Sequence, residues 1–131
     1  ELMARQTLAR KQQGLGLEHP ETLTSMSNVA SVLESQGKYE AAESMDRQTL
    51  ALKEKVLGLE HPNTLTIMSN LALVLERQGK YEAAELMSRQ TLALKKKVLG
   101  LEHPETLTSM SNLALVLERQ GKYEAAESMD R

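Results

Sequence analysis

Apolar residues along this chain fall at the spacing of an α-helix, in stretches cut short by glycine. From Leu65 they recur at Leu65, Met68, Leu71, Ala72 and Leu75, steps of three and four that share one side of a helix. Pro62 stands just upstream, where a helix begins and where the N–H that proline lacks would have no partner anyway. Gly79 closes the stretch, in the place of the left-handed residue past a helix C-terminus. This predicts a helix A over residues 62–78. A second pattern follows at once: Tyr81, Ala84, Met87, Thr91, Leu94 and Val98 form the inward stripe of a helix B over residues 80–98, stopped by Gly100 with apolar Leu101 behind it. Glu85 and Arg89 stand four apart, the order that favours an exposed ion pair. Glu82 and Glu85 read as solvated helix surface. No sustained alternation or β-branched enrichment competes for a strand.

The pair of helices returns every 42 residues. Residues 16–57 and 58–99 differ at 8 of 42 positions, and residues 58–99 and 100–131 at 4 of the 32 they share. Helix A is expected at 20–36, 62–78 and 104–120, and helix B at 38–56, 80–98 and 122–131. Residues 1–15 read as part of a helix B, because Arg5-Gln6-Thr7-Leu8 returns as Arg47-Gln48-Thr49-Leu50. A period of this length marks a stacked array, in which one helix pair cannot hide its own apolar stripes. The expected fold is all-α: a right-handed α-solenoid of antiparallel helix pairs. Residues 1–131 make a single array, with full repeats at 16–57 and 58–99 and a truncated one at 100–131. Apolar faces are expected to be exposed at both ends, which predicts end-to-end self-association.

Composition removes several functions. The net charge is −2 with both signs interspersed, so no basic patch invites nucleic acid. Lys95-Lys96-Lys97 reads as a solvated helix end. No apolar run approaches the roughly 18 residues of a membrane span. The chain has no Cys, which excludes disulfides and thiolate sites and permits a reducing compartment; the cytoplasm is the expected location. Aromatics are three Tyr, so the core is made of Leu, Met, Val and Ala. Met26, Met45, Met68, Met87, Met110 and Met129 return at fixed positions and read as packing.

His19, His61 and His103 occur once per unit, each directly before Pro. Equivalent residues of packed helical units lie roughly 10 Å apart, whereas zinc ligands sit about 2 Å from one centre. The histidines are therefore residues of the helix start, and no metal or other cofactor is expected. Gly14-Leu15-Gly16 lacks the Lys and the strand of a phosphate loop. Repetition places Ser and His in identical settings, whereas an active site needs different groups converging on one point. The expectation is a protein that is not an enzyme.

Asn70-Leu71-Ala72, Leu75, Gly79-Lys80-Tyr81, Ala83-Ala84 and Thr91-Leu92 resemble the tetratricopeptide repeat. The run NLALVLERQGKYEAAE followed by KVLGLEHP is similar, more narrowly, to the 42-residue repeats of kinesin light chains. Arrays of this kind also occur at the C-terminus of fungal and bacterial NOD-like signalling ATPases. The ordinary repeat has about 34 residues; the extra length fits one added turn on each helix, at Pro62–Thr64 and Lys95–Val98. Several positions depart from the family pattern. Met68 and Leu75 replace aromatics of helix A, Ser88 or Asp46 replaces one of helix B, and Thr91 replaces a small Ala.

The resemblance implies that A helices line the concave side of the array. There a second stripe runs through Thr66, Ser69, Asn70, Leu73, Glu76 and Arg77. It returns as Thr24, Ser27, Asn28, Ser31, Glu34 and Ser35, and as Thr108, Ser111, Asn112, Leu115, Glu118 and Arg119. Asn28, Asn70 and Asn112 offer a donor and an acceptor each, matching a peptide backbone. They either form a ladder along an extended ligand or bond neighbouring helices. The carboxylate clamp of chaperone-binding relatives is absent, because Ser27, Ser69 or Ser111 stands where it needs Lys. Glu76 beside Arg77, and Glu118 beside Arg119, suit moderate polar contacts. The expected function is a non-enzymatic scaffold binding protein or peptide segments on this face. The alternative is a sensor and assembly array of a NOD-like ATPase, with stacking as its main role.

Overall fold

The computed structural model describes residues 2–15 and 19–122, with side chains at residues 4–12 and 19–122. Six helices lie among the described residues, with no strand: α1 (Leu2–Leu15), α2 (Pro20–Ser35), α3 (Tyr39–Leu57), α4 (Pro62–Arg77), α5 (Tyr81–Leu99) and α6 (Pro104–Arg119). The expected starts of helix A are met at all three prolines, and the ends fall one residue early. Helices α3 and α5 begin and end one residue later than expected. The helix B expected at 122–131, with Met129, lies outside the described residues.

Each A helix starts on a histidine. The Nδ1 atoms of His19, His61 and His103 accept the backbone N–H groups of Glu21, Asn63 and Glu105, each at 3.1 Å. These imidazoles satisfy donors that a helix start leaves without partners. Each A helix also ends alike. Gly79 takes φ +80°, its N–H donates to Glu76 O at 2.9 Å, and Lys80 N–H donates to Leu75 O at 3.0 Å. This paired closure needs a residue free to enter the left-handed region. Helix B stops differently: Gly100 adopts φ 94° and ψ 159°, a region open essentially to glycine alone.

The chain divides into two compact units, residues 1–67 and 68–131. In the first, α2 packs against both α1 and α3. Its Leu23, Met26, Val29, Ala30 and Leu33 are buried, with Thr22 and Ser25 beside them. Thr64 is fully buried and donates to Gly58 O at 2.9 Å. In the second unit α5 packs against α6, where Leu92 meets Leu113, Ala114 and Leu117, with Met110 alongside. Each fully buried leucine, valine or methionine contributes about 1.5–3 kcal/mol through burial.

The stripe expected on helix A is buried throughout: Leu65, Met68, Leu71, Ala72 and Leu75. Ile67 and Val74 are buried as well, so burial extends around α4 beyond one stripe. Helix B departs from expectation. In α5 the buried ridge is Ala84, Ser88, Thr91, Leu92 and Lys95, while Tyr81, Met87 and Leu94 are half-buried and Val98 is exposed. The shift has a physical reason. Thr91 Oγ1 donates to Met87 O at 2.7 Å, so its hydroxyl enters the interior already paired. Lys95 lies along the apolar surface by its stem, and burial pushes its ammonium below the usual lysine range. Among the methionines, Met26 and Met68 are core residues, whereas Met45, Met87 and Met110 are half-buried. Leu107 is 50% exposed, although its equivalents Leu23 and Leu65 are buried.

Glu82 is exposed as expected, but Glu85 is more than solvated surface. Its carboxylate accepts from Arg89 Nε, Gln120 Nε2 and Lys122 Nζ, each at 2.8 Å. It ties α5 to the turn after α6. Lys122, Arg89 and Gln120 together hold the carboxyl down to about 2.

Two outcomes follow for unfolding. His61→Ala should cost about 0.5–2 kcal/mol by denaturant titration, whereas His61→Asn, which restores a capping acceptor, should cost little. A carboxyl held below its ordinary value stabilises the fold above that value and ceases to do so as pH falls through its lowered value. Glu85 should therefore contribute at pH 7 and lose its contribution between about 4.5 and about 2. Its partners are half-exposed, so Glu85→Gln should cost about 1 kcal/mol at pH 7 and almost nothing at pH 2.

Candidate functional site

A recess opens in the second unit between α4, α5 and α6. Ser69, Ala72, Leu73 and Glu76 come from α4, Ser88 and Thr91 from α5, and Ser109, Asn112, Leu115 and Val116 from α6. Its open volume is about 40 Å³, room for roughly three water molecules. Helical geometry places these groups together. Ser69, Ala72, Leu73 and Glu76 are steps of three and four on one side of α4, and Ser109, Asn112 and Val116 do the same on α6.

Five of the residues expected at a ligand face enter this recess: Ser69, Leu73, Glu76, Asn112 and Leu115. Arg119 reaches it through an ion pair, its Nη1 standing 2.7 Å from Glu76 Oε1. Glu76 itself is only 6% exposed. Its Oε1 touches the guanidinium but has no donor aligned as a hydrogen bond, and Ser69 Oγ is likewise buried without a partner. Asn70, Ser111, Arg77 and Glu118 are exposed and lie outside the recess lining. In the first unit Asn28 is exposed and Ser27 is half-buried, its Oγ again buried without a hydrogen-bond partner.

Sequence reasoning missed Ala72, Ser88, Thr91, Ser109 and Val116 as lining residues. A signal for two of them was present. Ser88 stands where the preceding repeat has Asp46, and Ser109 where the others have Ser25 and Ile67. All five of these side chains are buried, so a change of polarity there alters the interior in a chain whose repeats otherwise barely differ.

Asp46 is the sharpest case. It is 3% exposed, and burial first, then the charge of Glu34, pushes its carboxyl up to about 7. Buried ionised carboxylates are costly, and the group answers by holding its proton. Among the described residues no cluster of three or more His, Cys, Asp or Glu could hold a metal. No helix among them is long and apolar enough to cross a membrane.

Antiparallel helix pairs at a fixed period, each with the same caps, define a helical repeat protein. The tetratricopeptide repeat family matches residues 3–55, 21–97 and 89–131, and the chain belongs to that family. Its fold class is the all-α class of these repeats, and proteins built from them serve as interaction scaffolds. The structure is similar to that of a Podosopora anserina kinesin light chain with nearly identical TPR-like repeats, at 28% identity, TM-score 0.84, 96% of this chain and 60% of that one. It is also similar to BtubC (BKLC) from P. vanneervenii, at 20% identity, TM-score 0.88, 96% of this chain and 50% of that one. The TPR domain of Arabidopsis FLU follows at 21% identity, TM-score 0.70, 82% of this chain and 87% of that one. The chain thus spans 50% to 60% of the length of the first two. No curated protein sequence matches it.

An acid whose folded value is raised stabilises the fold while protonated, and that stability declines as pH rises from its ordinary value to its raised one. Between pH 3.8 and about 7 Asp46 should therefore weaken the fold progressively. Asp46→Asn should flatten this slope and raise stability at pH 8 by about 1–3 kcal/mol, read from urea midpoints at pH 4, 6 and 8.

Proposed function

We propose that this repeat protein is a protein-interaction module whose second unit, residues 68–131, binds extended peptide segments along the side of its A helices. The single observation that carries this reading is the recess between α4, α5 and α6. It sits among the residues whose spacing singled out a ligand face. Leu73 and Leu115 are 39% and 42% exposed in its lining, offering apolar contact beside the amide of Asn112. Asn70 is exposed on α4, so its donor and acceptor are available to a peptide backbone. The mixture of hydroxyls, one amide, two leucines and one carboxylate recognises backbone and short side chains, and it does no bond-breaking chemistry.

The test is direct binding of a pool of extended, uncharged ten-residue peptides by fluorescence anisotropy. Changing Asn70 and Asn112 together to Ala should weaken binding about tenfold, as expected for two lost peptide hydrogen bonds. The unfolding midpoint should barely move, because both residues are exposed. Unchanged affinity in the double variant would remove the asparagine ladder, and binding lost only with the fold would make these residues structural.

A further inference from the structure

We propose that the recess of the second unit is a subsite for the tip of a lysine side chain, the ammonium bonding to Glu76 Oε1 and Ser69 Oγ. This deepens the peptide-binding reading and rests on it. The fold leaves one polar atom of the recess without a partner and holds a second only through a half-exposed arginine. Glu76 is 6% exposed and lines the recess, and its Oε1 has no aligned hydrogen bond. Ser69 Oγ, on the same wall, is buried and unbonded. A buried polar atom without a partner costs about 1–3 kcal/mol, so a ligand that answers Ser69 Oγ gains what the free protein forgoes, and at Glu76 Oε1 it shares or replaces the contact with Arg119.

The chemistry of the lining selects the ligand. A carboxylate oxygen only accepts, and the hydroxyls of Ser69, Ser88, Ser109 and Thr91 all have lone pairs to offer. Thr91 has already committed its proton to Met87 O. A group with several donors and no acceptor fits such a lining, which is the description of an ammonium. Shape then favours lysine over arginine. An ammonium is a compact point charge with three rotatable donors, suited to acceptors on separate walls, whereas a guanidinium presents its donors in a fixed planar fork. The exposed leucines at positions 73 and 115 receive the aliphatic stem that leads to the tip.

The first unit repeats the acidic character. Ser27 Oγ is again buried and unbonded, and Asp46 stands at the register position of Ser88. Its carboxyl is near enough to Glu34 to feel that residue's charge. An extra carboxylate at this position, carried into the second unit by Ser88→Asp, should strengthen an ammonium subsite above neutral pH, where the corresponding Asp46 has given up its proton.

Arg119 supplies the decisive sign. Its guanidinium already stands 2.7 Å from Glu76 Oε1 and is 47% exposed, so it competes with an incoming cation. Titrating the protein with acetyl-Ala-Ala-Lys-Ala-Ala-amide and its norleucine counterpart, followed by amide chemical shifts, tests the proposal. The lysine peptide should bind roughly tenfold tighter than norleucine, the range of a charge-assisted hydrogen bond, and move the amides of Ser69, Ser88, Ser109 and Asn112. Glu76→Gln should erase the preference, whereas Arg119→Gln should enlarge it severalfold and Ser88→Asp should do so at pH 8. Equal binding of the two peptides would overturn the subsite and leave the peptide-binding reading standing. Failure of both peptides to bind would overturn both. Weaker lysine binding in Arg119→Gln would make the Glu76–Arg119 pair a structural clasp and end the proposal.

Discussion

An A helix here has more apolar surface than one neighbour can cover. In the first unit α2 meets α1 and α3 at once, and Leu23, Met26, Val29 and Leu33 are at most 2% exposed as a result. On α4, Leu65, Ile67, Leu71, Val74 and Leu75 reach the same degree of burial. Everything else accommodates this constraint. The histidine caps and glycine stops fix where each helix begins and ends, so the apolar residues of successive copies enter the same register.

The B helices take the opposite part. Their buried ridge is small and polar, with Ala84, Ser88 and Thr91 in α5 and Ala42, Asp46 and Thr49 in α3. Small residues cannot fill the space between bulky A helices, and a recess is left at Ser88 and Thr91. Internal hydrogen bonds make this polarity affordable: Thr49 and Thr91 each donate to the carbonyl four residues back. At Asp46 the cost shows in the titration instead: burial and the charge of Glu34 push its carboxyl up to about 7. The packing constraint thus makes the cavity, and the polar ridge gives it chemistry.

The periodic pattern carried the helices and their boundaries to within a residue, because proline and glycine punctuate every repeat. It also carried the helix A core, whose Leu65, Met68, Leu71 and Leu75 follow one stripe. Helix B was misread at Ser88 and Lys95, since hydropathy alone treats a serine or lysine as outward. Burial there depends on a neighbouring helix that supplies close walls. Glu85 was read with its partner four residues on, but Gln120 and Lys122 come from 35 and 37 residues away, beyond any local spacing rule. On the candidate face, Glu76 and Arg119 were singled out separately. Their contact across two helices, and the buried Ser69 hydroxyl left without a partner on the same wall, are facts of packing.

The direct measurement is where an extended peptide lies. A ten-residue peptide with a spin label at its centre, added to isotope-labelled protein, broadens the amide signals of residues near the label. If the A helices form the recognition face, broadening should concentrate on residues 69–77 and 109–119. Broadening centred instead on the exposed side of α3 or α5, around Arg47 and Arg89, would contradict the account.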